Sequence, residues 1–199
     1  MTITCLIPAA GASSRMRGAD KLMQDVEGEP CVVALAKRAL AAGLNVIVTL
    51  PSADHPRALA LSGLPLLKLA VPDAGEGMSA SLRAGARAMP DAATGLMILP
   101  ADMPAITSAD ISKMRDVFTQ TLPLILKARA ASGKSGHPVI FAAKLRSDFE
   151  HLSGDAGAQS IVQRHKDRIA FVDFSDERPL SDLDTPEDWA AWRASLGRE

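Results

Sequence analysis

The sequence predicts an α/β fold, a three-layer, Rossmann-like, doubly wound and mostly parallel sheet, folded as a single domain over residues 1–199. Two observations predict it. Short β-like runs alternate with stretches of helical period from the start of the chain, the pattern of βαβ units. A chain of 199 residues with 47% hydrophobic content buries one substantial core and falls within the usual range for one domain.

The elements follow in order. Thr4–Ile7 reads as a strand, Val32–Ala42 as a helix, Val46–Leu50 as a strand, Ala58–Leu61 as a short helix and Leu66–Val71 as a strand. Met78–Met89 is helical by the spacing of Leu82, Ala86 and Met89, and the apolar run Leu96–Leu99 suits a buried central strand. Thr107 and Thr185 mark helix starts: each precedes an aspartate by three, Asp110 and Asp188, and Pro186 takes the first helical position. Between them lie two strands, Leu124–Lys127 and Val139–Phe141, split by the Gly/Ser-rich stretch 131–136, which reads as a mobile turn. Ligands of open α/β sheets bind outside the carboxyl ends of the strands near a topological switch point. The loop from Pro8 to Lys21 and the turn Pro100–Pro104 both leave such ends, so the two are expected to face one crevice.

Composition removes several classes of function. With 22 basic against 23 acidic side chains, no long-range field concentrates the protein on nucleic acid or an anionic membrane. An aromatic content of 4% without tyrosine leaves no stacking platform for single-stranded nucleic acid. Ile3–Ile7 is too short for a signal segment, no apolar run approaches a membrane span, and two distant cysteines, Cys5 and Cys31, fit a reducing cytoplasm. The histidines His55, His137, His151 and His165 lack the spacing of a helical zinc site. No internal repeat or heptad is present.

The chemistry concentrates after the first strand. Ala9, Ala10, Gly11, Ala12, Ser13 and Ser14 are small, which leaves backbone N–H groups open to phosphate oxygens, and Gly11 tolerates conformations that other residues resist. Arg15 and Lys21 add two cations. The spacing matches neither a Walker loop nor a dinucleotide fingerprint. Asp102 follows a buried apolar strand and is framed by Pro100 and Pro104, a stiff turn that suits an oxygen ligand for a hard cation.

These residues carry a resemblance. The segment Ala9 to Lys21 resembles the signature loop of the MobA-like nucleotidyltransferases. The likeness continues through Glu76–Gly85, Pro100–Pro104, Gly136–Val139, Ser153–Ala158 and Asp182–Asp188, and the whole looks closest to molybdenum cofactor cytidylyltransferases. Three departures stand out: Arg17 reads as an extra residue in the loop, Ala101 stands where glycine is usual, and Gln24-Asp25 follow where apolar residues are common.

The resemblance implies a nucleotide-diphospho-sugar transferase type of fold and a Mg2+-dependent transfer. A phosphate oxygen of an acceptor attacks the α-phosphorus of CTP or GTP and pyrophosphate leaves. Arg15 and Lys21 are then the catalytic cations; Ala9, Ala10, Gly11, Ser13, Asp73 and Ser81 meet the nucleotide; Asp102 and either Asp184 or Asp182, with Asp184 preferred, hold the metal. His137 either meets a phosphorylated pterin, the molybdopterin-type acceptor, or only braces its turn. The N-terminus of the helix at Gly77-Met78-Ser79 is expected to offer free N–H groups, with Arg83 either a nucleotide contact or a solvated side chain. The methyl group of Ala10, where guanine-using members commonly have glycine, favours cytosine. A molybdoenzyme or its chaperone is the implied partner. Two other readings stay open, a transferase acting on a different phosphorylated metabolite such as a sugar phosphate, and a cofactor carrier without catalysis.

Overall fold

The computed structural model describes residues 2–155 and 157–197. Strand β1 (Thr2–Pro8) leads through the long loop, a two-stranded arm of β2 (Asp25–Val26) and β3 (Glu29–Pro30), and α1 (Cys31–Ala41) to β4 (Asn45–Leu50). Helix α2 (Pro56–Ala60), β5 (Leu67–Ala70), α3 (Met78–Ala88) and β6 (Ala93–Ile98) follow, then α4 (Ser108–Thr121), β7 (Ile125–Arg129) and β8 (Ser135–Ala142). A run of 3-10 turns over Ala143–His151, α5 (Gln159–Arg164), β9 (Ile169–Asp173) and α6 (Pro186–Ser195) complete the chain.

The main sheet has the order β5-β4-β1-β6-β8-β7-β9. Strands β1, β4, β5 and β6 are mutually parallel, and β8 runs against both its neighbours, so that β7 and β9 share the direction of the first four. The doubly wound, mostly parallel expectation is met with one reversed strand. Period-two alternation places Ile3, Cys5 and Ile7 of β1 in one core with α1 and α4, while Leu6 points into the other with Leu82 and Ala86 of α3. Helices therefore cover both faces of a sheet whose strands are apolar on both sides. The chain winds outward from β1 to β5 and then returns to β6 on the other flank of β1. The switch point is the gap between β1 and β6, where the Pro8 loop and the Asp102 turn both emerge.

Both marked helix starts form. Thr107 and Asp110 make a reciprocal capping box at α4, as do Thr185 and Asp188 at α6 with Pro186 in the first turn. In the stretch 131–136, Ser135 and Gly136 already belong to β8, and in the remaining turn Ser132 donates through its N–H and hydroxyl to Glu177 at 2.8 Å each. Strand β9, α5 and the β2–β3 arm carried no clear sequence signal; β9 packs mainly Val172 into the core and leaves Phe171 exposed.

The register of β7 on β8 slips between Lys127 and Ala128, which pair with Val139 and Gly136, so His137 and Pro138 form a bulge. Gly136 passes so close to Pro179 that an added Cβ would sit 1.9 Å from its carbonyl oxygen. Burial pushes the His137 pKa down from 6.5 to about 4, the charge of Lys127 adds to this, and Asp102 opposes it.

Two outcomes follow from this bulge. Gly136→Ala is expected to cost about 1–3 kcal/mol through a backbone clash that no rotamer relieves, measurable as a lower urea midpoint at unchanged slope. For His137 the native pKa lies below the unfolded one, so native protein binds fewer protons than unfolded protein between pH 6.5 and about 4. The stabilisation it contributes is present above pH 6.5 and lost as pH falls through that window, by about 1–3 kcal/mol once partial solvent access is allowed for. Chemical denaturation of wild type and His137→Gln across pH 4–7 should show the variant with the shallower decline.

Candidate nucleotide site

A cleft of about 580 Å³ opens at the switch point. One wall is the loop after β1, with Ala10, Gly11, Ala12 and Ser13 facing inward; the opposite wall comes from Ala74–Ser81, and the floor from Pro100–Asp102 with Asp184.

The loop is shaped from beneath by Arg57 at the start of α2, a residue the sequence reading passed over. Its side chain is buried, with 2% of the residue exposed, and all five of its N–H donors are used. Nη1 donates to the carbonyls of Ala9 at 2.6 Å and Gly11 at 2.8 Å, Nη2 to Ser13 Oγ at 3.0 Å and Asp20 Oδ1 at 2.7 Å, and Nε to Asp20 Oδ2 at 2.7 Å. Burial alone would raise the Asp20 carboxyl, but this two-point pairing holds it below the usual carboxylate range. Asp20 in turn accepts from Leu22 N at 2.9 Å and so starts the 3-10 turn that carries Lys21. Arg17, which reads as an extra residue against the resembled loop pattern, adopts φ 52° beside Gly18 at φ 93°, and its exposed side chain pairs with Glu187 at 2.6 Å.

Three charged segments meet at the floor. Lys21 Nζ contacts Asp102 Oδ2 at 2.5 Å and Asp184 Oδ1 at 2.8 Å, and Arg15 Nη1 reaches Asp184 Oδ2 at 2.6 Å. Lys21, Asp102 and Asp184 are each less than a fifth exposed at the side chain. Burial works against the lysine charge, yet the two carboxylates outweigh it and push the Lys21 pKa up. The backbone reinforces the meeting, since Leu183 N donates to the Asp102 carbonyl at 2.9 Å. Between the two carboxylates left open for the second position, Asp184 lines the cleft; Asp182 lies behind, its pKa raised by burial and by the charges of Asp102 and Asp184.

The far wall corrects an expectation. The N–H groups at the start of α3 are not free: Met78 N donates to Asp155 Oδ1 at 3.3 Å and Ser79 N to the Gly154 carbonyl at 3.2 Å. Gly77 permits this approach, because a Cβ there would lie 2.1 Å from Asp155 Oδ1, and its φ of 96° suits glycine alone. Arg83 is likewise engaged in the protein, bonded to the Leu152 carbonyl at 2.7 Å and Glu76 at 2.6 Å. Ser81 does line the cleft. Ala156, within the Ser153–Ala158 segment, lies outside the described residues.

The structure thus gathers Ala10, Gly11, Ser13, Arg15, Lys21, Ser81, Asp102 and Asp184 on one cleft. Ala9 lies under it, 1% exposed, with its carbonyl on Arg57. Asp73 is exposed beside the lining residues Ala74 and Gly75, and His137 lies off the cleft in the β8 bulge.

The acidic pair suits a divalent ion of the magnesium kind. Two carboxylates already share one ammonium, and Asp102 Oδ1 is buried with no hydrogen-bond partner. Among the described residues no cluster of three or more acidic, histidine or cysteine groups forms a complete cage. A hard cation that takes one or two carboxylates and fills its other positions with phosphates and water matches this donor set.

Comparison with known proteins agrees with the geometry. The chain is 25% identical over 194 residues to a nicotine blue oxidoreductase of Paenarthrobacter nicotinovorans, with 93% of each covered. It is similar to the crystal structure of Rv0371c from Mycobacterium tuberculosis H37Rv, with TM-score 0.80 and 28% identity over 96% of this chain and 97% of that one. Against the complex of Rv0371c with manganese it scores 0.80 at 26% identity, covering 98% of this chain and 100% of the other. The model of the MobA-like NTP transferase domain matches residues 5–169, and with it the cleft loop, the acidic turn and most of the sheet: this chain belongs to the MobA-like NTP transferase family.

Proposed function

We propose that this nucleotidyltransferase moves CMP from CTP onto the phosphate of a molybdopterin-type cofactor, with Mg2+ as its metal and pyrophosphate as the second product. One observation carries the reading: Lys21, Asp102 and Asp184 converge under a loop whose N–H groups at Ala10, Gly11 and Ala12 meet no protein acceptor among the described residues. That set matches a triphosphate with its counter-ion.

In this reading Ala10, Gly11, Ala12 and Ser13 form the cradle for the phosphates, Ala9 supports it from beneath with its N–H on the Thr49 carbonyl and its own carbonyl on Arg57, and Ser81 and Asp73 contribute from the opposite wall. Asp102 and Asp184 would hold Mg2+, which supplies positive charge to the phosphate oxygens. Lys21 and Arg15 supply the rest. An oxygen of the acceptor phosphate forms a bond to the α-phosphorus while the bond to the β-phosphate oxygen breaks, and the electron pair leaves with pyrophosphate. Negative charge moves outward through this step, so fixed cations and positioned donors account for most of the acceleration. A phosphomonoester is already mostly dianionic at neutral pH, its second pKa being about 6, and needs no general base. His137, uncharged at neutral pH, would offer the pterin a hydrogen bond rather than a charge. Ala10 is 6% exposed at the cleft wall, so its methyl group narrows the space for a base and favours cytosine over guanine. The product would pass to a molybdoenzyme or its chaperone.

The test is pyrophosphate release with a phosphorylated pterin and Mg2+. CTP should be preferred over GTP, and Ala10→Gly should relax that preference by about tenfold or more; a wild-type preference for GTP would overturn the base assignment, and turnover only with a sugar phosphate the acceptor assignment. Asp102→Asn, isosteric and uncharged, should lower kcat by about 100-fold or more with the fold retained by circular dichroism. A carrier without catalysis would deliver cofactor equally well with that substitution.

A further inference from the structure

The N–H groups of the cradle must be aimed, and the loop holds no ladder partner that could aim them. Ala10 is nearly buried, yet its N–H, like those of Gly11 and Ala12, donates to no protein group among the described residues. Donors without a protein partner at the wall of a cleft are free to serve a ligand there.

The peptide plane supplies the answer. In a trans peptide the carbonyl of one residue and the N–H of the next point in opposite directions. Arg57 Nη1 captures the carbonyls of Ala9 and Gly11 from below, at 2.6 and 2.8 Å. The N–H groups of Ala10 and Ala12, in those same two peptide units, are therefore turned away from Arg57 and toward the cleft that both residues line. The other end of the guanidinium grips Asp20 with two bonds, which fixes the residue directly before Lys21. One side chain thereby sets the donors and the cation relative to each other.

We infer that Arg57 is a positioning residue for the triphosphate: it touches no substrate, and it orients the Ala10 and Ala12 N–H groups as the paired donors for phosphate oxygens while holding Lys21 in register with them. This rests on the nucleotide reading above and adds which two donors act and what aims them. Lysine cannot replace it. A point ammonium lacks the planar fork that serves two carbonyls, a hydroxyl and a carboxylate at once.

The experiment separates this inference from the choice of base or acceptor by using inorganic tripolyphosphate with Mg2+ as probe. In 15N-labelled protein the Ala10 and Ala12 amide resonances should shift on titration, and Arg57→Lys should weaken tripolyphosphate binding at least tenfold. In steady-state turnover the same variant should raise KM for the nucleoside triphosphate by a similar factor with a smaller change in kcat. Loss of folded protein alone would do the reverse, lowering kcat at constant KM, and that result overturns the inference. So does tripolyphosphate binding that leaves both amides unmoved, a result under which the transferase reading still stands. Complete failure to bind tripolyphosphate overturns both. Should Arg57→Lys not fold, Asp20→Asn, which removes the charge from one end of the grip, carries the same prediction at three- to tenfold.

Discussion

The ammonium of Lys21 between Asp102 and Asp184 is the contact on which the cleft depends. It joins a loop near the start of the chain, the turn after the central strand β6 and the segment before α6, residues 81 and 163 positions away. Two carboxylates this close repel in a partly dry site, and the cation between them offsets that repulsion. The arrangement also explains how one place serves both free and loaded protein. Lys21 and Arg15 together match the two carboxylates charge for charge, and in the proposed function a divalent ion with a triphosphate would restore the balance with larger charges of both signs.

Rigid elements hold each participant. Asp102 sits in the turn just after β6, a strand flanked on both sides by partners, β1 and β8. Asp184 precedes a capping box whose Asp188 carboxylate takes the N–H groups of Asp184 and Thr185 at 3.1 and 2.8 Å, so the helix start that ends the chain's last connection also fixes the second acidic group. Behind Asp102, the buried Cys31 thiol donates to the Ala101 carbonyl at 3.1 Å, tying the floor to α1. Breaking a charged partnership in such a setting costs about 3–5 kcal/mol because the remaining charge stays behind. Site and fold are thus mutually dependent here.

Much of this was legible in the sequence where the signal is local. The alternation of strands and helices, both capping boxes, the small-residue loop and Asp102 on its proline-framed turn all depend on neighbours within a few residues, and each formed. What was illegible depends on distance. Arg57 sits in His55-Pro56-Arg57, a sequence indistinguishable from any helix start, and its partners lie 37 to 48 positions earlier. Asp155, which fills the start of α3, lies 77 positions from Met78. Strand β9 was missed for the opposite reason: an edge strand with one deeply buried residue, Val172, has too little alternation to stand out.

Those two unseen contacts act together. An α/β crevice commonly offers an anion two sets of N–H donors, a loop after one strand and the first turn of a helix. Here the protein's own Asp155 carboxylate and Gly154 carbonyl take the first two N–H groups of α3, while Arg57 draws the Ala9 and Gly11 carbonyls downward and the N–H groups of Ala10, Gly11 and Ala12 meet no protein acceptor among the described residues. Of the two sets of donors, the protein itself occupies the helix start and leaves the loop available. Under the proposed function the loop N–H groups, with Lys21 and Arg15 of the same segment, would therefore take the phosphates, and the start of α3 would not.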